Sequence, residues 1–202
     1  MAVARTARHR WIDEGLQALA AGGPDAVQIE SLARALGVSK GGFYGYFADR
    51  RALLDEVLDT WESRSTERVI ERVEHEGGDA MGRARRAAEL TFSVELRPID
   101  LAVRDWARRD AAVAERLRRV DNVRIAYLRT LLGPVCADDE DLEARCLIAF
   151  SVAIADRLIA ADHGVRTRSD VREAVRRQLF TPAQGAPVVL ADREDGSLPS
   201  GG

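Results

Sequence analysis

Apolar residues along the chain recur at spacings of three and four and almost nowhere in strict alternation, so the pattern predicts an all-α fold. A first helix is expected over Thr6–Ala21, with Trp11, Ile12, Gly15, Leu16, Leu19 and Ala20 on one face and Gly22-Gly23-Pro24 as its stop. A short helix over Ile29–Leu36 turns Ile29, Leu32, Ala33 and Leu36 inward and closes at Gly37. Ser39 opens another short one over Lys40–Phe47. Asp49 caps a long helix expected from Arg50 to Glu74, striped by Leu53, Leu54, Val57, Leu58 and Trp61. After a break at Gly77-Gly78-Asp79, five more follow: Ala80–Leu96, Ile99–Arg108, Ala111–Leu132, Glu140–Ala161 and Ser169–Leu179. Pro98, Asp110, Gly133-Pro134 and Gly164 separate them. From Thr181 the chain turns to glycine, proline, serine and acids, the pattern of a mobile tail. The division expected is a three-helix head (1–49), a helical body entered through the long helix (50–180) and the tail (181–202).

The stretch Glu140–Ala161 is apolar around nearly its whole circumference, and such a helix must be buried on all sides. Part of that burial is expected from a second copy, through Leu147, Ser151, Ile154 and Leu158 together with the following stripe of Val171, Val175 and Leu179. A central core helix of a monomer is the alternative.

The candidate chemistry lies between Ile29 and Leu54. Two short helices meet at Gly37-Val38-Ser39, where glycine permits a sharp turn and Val38 plugs the angle, as in a helix-turn-helix. The second helix carries Gly41, Gly42 and Gly45, each costing about 1 kcal/mol against alanine, so something else must hold it. Phe43 and Phe47, one turn apart, supply that anchor. The opposite side presents Lys40, Gly41, Tyr44 and Gly45: a cation, a hydroxyl, and glycines that let backbone approach a phosphate or base edge. Asp49-Arg50-Arg51 offers a helix start and two cations to a further phosphate. Arg5, Arg8 and Arg10 form an arm suited to the DNA backbone or minor groove.

This segment resembles the TetR family of bacterial transcriptional regulators. The resemblance rests on the leucine-alanine pair Leu32-Ala33, Gly37-Val38-Ser39-Lys40-Gly41, Phe43-Tyr44, Tyr46-Phe47, and Asp49-Arg50 followed by Leu53. It implies a DNA-binding head, a ligand-binding body and a homodimer that represses transcription from a near-palindromic operator until a small-molecule effector releases it. Carried over by position, it implies that Ser39, Lys40, Gly42, Tyr44 and Tyr46 sit at or near DNA and that Arg50 meets a phosphate. Gln28 stands where the family often has threonine at the start of the second helix, and Gly45 replaces a larger side chain. Base readout is therefore expected to be thinner, with more weight on backbone contacts and DNA shape. The alternative reading is a helical protein-interaction module with weak or lost DNA binding, for which Gly45 is the best support.

For an effector cavity between the body helices, Trp61, Phe92, Leu96, Trp106, Tyr127, Leu128 and Phe150 are the expected walls. Arg97, Arg104, Glu89, Glu95 and His163 are the expected polar handles. Composition narrows the rest. Of 202 residues, 46 % are apolar and 31 % charged, which fits a folded domain. The formal net charge of −3 argues against a protein coated in nucleic acid while leaving room for local basic patches; Lys40, in the motif, is the only lysine. Cys136 and Cys146 lack metal-ligand spacing and read as reduced thiols of a cytoplasmic protein. No signal-peptide pattern, membrane span, phosphate loop, nucleophile motif or metal spacing stands out. No enzyme, cofactor or metal is expected.

Overall fold

The computed structural model describes residues 7–156 and 158–182. The expected tail therefore lies outside the described residues except for Thr181 and Pro182, as does Arg5 of the basic arm. Nine α-helices make up the described chain: α1 (Arg8–Gly22), α2 (Ile29–Ala35), α3 (Arg50–Ser65), α4 (Glu67–Glu76), α5 (Ala80–Thr91), α6 (Leu96–Ala107), α7 (Ala111–Leu132), α8 (Asp139–Ala155) and α9 (Arg168–Phe180). No strand occurs among the described residues.

The long helix expected over Arg50–Glu74 is two. Ser65 Oγ donates to the Trp61 carbonyl and Thr66 Oγ1 to the Glu62 carbonyl, the latter at 2.7 Å. Hydroxyls bonded back one turn bend a helix. From the next layer, Arg124 Nε donates to the Ser65 carbonyl at 3.3 Å, occupying an acceptor that helix continuation would have used. Thr66 then leaves helical geometry at φ −128°, ψ −90°.

The α5/α6 boundary also moves. Pro98 was expected to separate two helices but sits in the first turn of α6, where the missing N–H is no loss. Ser93 Oγ accepts from Leu96 N and starts that helix. Helix α8 ends at Ala155, short of the expected Ala161. The Arg168 guanidinium donates to the carbonyls of Asp156, Ile159 and Ala161, so an arginine replaces the helical turn these groups would have formed. Thr167 and Asp170 form a reciprocal capping box that starts α9.

One apolar cluster crosses the expected head–body boundary. It runs from Trp11, Leu16, Phe43 and Phe47 through Val57 and Trp61 to Ile99, Val103, Val113 and Val120. Helix α1 of the head packs along α6 of the body within it. A second cluster at the far end gathers Leu132, Cys136 and Cys146. Both thiols are free and buried, and burial pushes Cys146 up to about 11, which keeps it protonated and inert.

Charge is buried between the two regions. Asp100 of α6 is 1 % exposed and pairs with Arg124 of α7 at 2.9 Å and with Arg104 at 2.8 Å. Arg104 also grips Asp121 with two hydrogen bonds, of 2.9 and 2.8 Å. Two cations and two anions thus balance. Burial works to lower the Arg104 guanidinium, but the Asp121 and Asp100 carboxylates outweigh it and its pKa is raised.

Candidate functional site

The turn between α2 and the next element is built as its sequence requires. Gly37 adopts φ +67°, a conformation L side chains rarely take, and Val38 N donates back to the Ala33 carbonyl. The segment expected as a helix over Lys40–Phe47 is a 3-10 helix over Lys40–Gly45. Three glycines in six residues leave little intrinsic α-helicity, and 3-10 geometry is common in such short pieces. The anchors are aromatic. Phe43 is fully buried, meets Trp11 edge-on at 5.4 Å and stacks on Phe47 at 5.2 Å. This packing fixes which side of the turn faces out.

The outward side carries Ser39, Lys40, Gly41, Gly42, Tyr44 and Gly45, all exposed, with the Tyr44 ring 55 % accessible. Tyr46 is half-buried at its edge. A Cβ added at Gly42 would meet no atom within 4 Å, and one at Gly41 only the Ser39 hydroxyl at 3.8 Å. Neither position has positive φ. The protein's own packing therefore gives no reason for glycine at 42.

The cations are arranged differently from expectation. Lys40 Nζ pairs with Glu30, which holds the lysine pKa up and the Glu30 carboxyl below its usual range. Both partners are about half exposed, so the pair is weak enough to exchange for a phosphate. Arg50, expected at a phosphate, instead donates Nε to the Val27 carbonyl at 2.7 Å and Nη2 to the Pro24 carbonyl. It braces the α1–α2 connection against the start of α3. Two charge-assisted hydrogen bonds to backbone carbonyls imply that Arg50→Ala loses about 1–3 kcal/mol of unfolding free energy in urea titration. Unchanged stability would show the guanidinium to be free. Arg8 of the expected arm is likewise engaged, with Glu56 at 2.7 Å and over the Phe47 ring at 5.0 Å. Arg10, Arg34 and Arg51 are exposed around the same head. Gln28 precedes α2 without capping it; its amide donates to the Asp25 carbonyl at 3.2 Å.

In the body, α4, α5, the start of α6, α7, α8 and α9 line a partly open cavity of about 600 Å³. Phe92, Tyr127, Leu128 and Phe150 line it, as do the handles Arg97 and Glu89. Trp61, Leu96 and Trp106 do not. Trp61 is fully buried in the head–body cluster, and Leu96 and Trp106 pack against that cluster. Glu95 and His163 are outside the lining, and Arg104 belongs to the buried charge network. Arg124, a lining residue the periodicity did not mark, lies over Trp61 at 5.9 Å and Phe92 at 5.7 Å. An arginine on an otherwise apolar helix face was the available signal. Of the residues expected at a second copy, Leu147, Ser151 and Leu158 are exposed, Ile154 and Val171 half-buried. Val175 and Leu179 instead line the cavity. Among the described residues of α8, Cys146 is the only buried one, while Leu147 and Ile148 are 65 % and 50 % exposed. Among the described residues no His, Cys, Asp and Glu cluster could hold a metal, and no helix is long and apolar enough to cross a membrane.

Residues 12–57 match the family model described as bacterial regulatory proteins, tetR family. No curated protein matches the sequence. Among solved structures, AibR in complex with isovaleryl coenzyme A and operator DNA covers 86 % of this chain and 100 % of its own, at 14 % identity and TM-score 0.60. The regulator FadR from Bacillus subtilis, in complex with stearoyl-CoA, covers 88 % and 100 %, at 14 % identity and TM-score 0.63. A transcriptional regulator from Rhodococcus sp. Rha1 covers 92 % and 100 %, at 19 % identity and TM-score 0.67. At these identities the likeness is one of fold.

Proposed function

We propose, from the premise that this chain carries the N-terminal segment of the tetR family of bacterial regulatory proteins, that it is a DNA-binding transcriptional repressor released from its operator by a small molecule. The observation that carries the reading is Gly42: a residue with open space around it, on an exposed turn held by buried Phe43, between Lys40 and Tyr44. A surface kept bare without an internal reason fits close approach to a duplex. Backbone amides, the Tyr44 hydroxyl and the released Lys40 ammonium would position it on phosphates.

The operator-bound form is a homodimer. Leu147 and Ile148, exposed on α8, are large apolar side chains that a second copy would cover, and two-fold pairing gives a near-palindromic site. The cavity holds the effector; the AibR and FadR structures, with coenzyme A thioesters bound, are precedents for such ligands on this fold. Helix α6 is the element through which occupancy reaches the head. It packs along α1 through Ile99 and Val103, and through Asp100 it holds Arg124 in the cavity wall. A ligand that favours one setting of this pair shifts the heads by its differential affinity, and 1–3 kcal/mol of coupling changes DNA affinity about 5- to 150-fold.

Selection of bound fragments from a random duplex pool tests the reading. A near-palindrome with half-sites about one helical turn apart, or a multiple of it, is expected. Recovery of unrelated sequences after repeated rounds would refute it.

A further inference from the structure

The charged groups that line the cavity are paired, with one marked exception. Arg124 is held by Asp100 and Arg176 by Glu173 at 2.7 Å; Arg172 meets Asp156 at 3.3 Å and Arg85 meets Glu89 at 3.9 Å. Arg97, half-buried in the first turn of α6, has neither an ion pair nor a side-chain hydrogen bond among the described residues. Across the lining, five arginines face four carboxylates. The buried donor capacity left over is of the same kind, since Arg172 Nε has no acceptor. Of the acceptors, the Tyr127 hydroxyl is bonded to Glu74 at 2.6 Å and Asp170 caps α9, while Glu89, largely exposed, meets Arg85 at 3.9 Å. Between these groups the walls are apolar, with Val69, Ile70, Phe92, Leu128 and Phe150 among them.

An apolar chamber whose unpaired charged group is a half-buried guanidinium selects for a ligand of opposite character. We propose that the cavity takes an amphipathic anion, an apolar chain or ring system against Phe92, Leu128 and Phe150 with its acidic group on Arg97. This rests on the reading of the body as an effector-binding unit. It assigns to Arg97 the recognition of the ligand's charge. A neutral amphiphile would leave the guanidinium unpaired at the wall, and a cationic one would be repelled by it.

The test uses the full-length protein and three probes of equal chain length: decanoate, decanol and decyltrimethylammonium, each titrated by calorimetry below its micelle concentration. Decanoate is expected to bind about 10- to 100-fold more tightly than either other probe, the range of one charge-assisted hydrogen-bonded contact. Arg97→Gln should remove that preference while leaving decanol binding and the melting temperature unchanged, because the Arg97 side chain bonds to none of the described residues. Arg97→Lys should restore part of it. Equal affinity for the three probes, or a decanoate preference untouched by Arg97→Gln, would overturn the anion assignment and leave the effector cavity standing. If no probe enters, and Nile red does not either, the effector-binding reading fails together with it.

Discussion

Asp100→Asn is expected to lower the unfolding free energy by about 3–5 kcal/mol, the effect of removing one partner from a buried ion pair. The carboxylate is 1 % exposed and lies between Arg104 and Arg124. Asparagine keeps its volume but leaves Arg124, itself almost wholly buried, to share Asp121 at 3.4 Å with Arg104. The loss therefore comes from an uncompensated guanidinium and not from a cavity. A double replacement separates the two causes. Asp100→Leu with Arg124→Met removes both charges and should recover most of the stability, since apolar substitutes for a buried pair are commonly neutral or better. Urea unfolding of the three proteins decides it. Similar losses in the single and double variants would mean that shape, not charge, is what Asp100 provides.

The second large effect separates stability from binding. Gly42→Glu should leave the fold intact or slightly firmer, because its Cβ meets nothing within 4 Å and glycine is a poor helical residue. The same change places a carboxylate on the surface proposed to meet phosphates, where like charge costs several kcal/mol. DNA affinity is expected to fall more than about 100-fold, or roughly 3 kcal/mol. An unchanged melting temperature beside lost binding is the signature. Retained affinity would move the DNA contact away from this turn.

Periodicity and turn chemistry carried much of this architecture. Gly37, Asp49, Gly77 and the Thr167 cap all end or begin helices where local rules place them. The aromatic anchoring of the turn by Phe43 and Phe47 was legible from their spacing alone. What the sequence hid was decided by partners distant along the chain. The bend at Thr66 depends on Arg124, fifty-nine positions from the carbonyl it binds. The early end of α8 depends on Arg168. Arg50 looks like a phosphate ligand by position, yet the loop before α2 folds back to supply it with two carbonyls. Trp61, Leu96 and Trp106 were indistinguishable from cavity walls because an aromatic or apolar residue at helical spacing does not reveal which neighbour it packs against. Arg97 could be named as a handle, but its lack of a partner is a property of the fold.

The most direct measurement is fluorescence anisotropy of the purified protein titrated onto a labelled near-palindromic duplex, taken from the selected pool, and onto a scrambled duplex of equal composition, at several salt concentrations. Specific binding at about 10⁻⁸ M or tighter is expected, at least about 10³-fold above the scrambled duplex, falling log-linearly with salt as counterions are released. Equal, weak binding to both duplexes, or none to either at low ionic strength, would contradict the assignment of the Lys40–Gly45 turn as a DNA-reading surface.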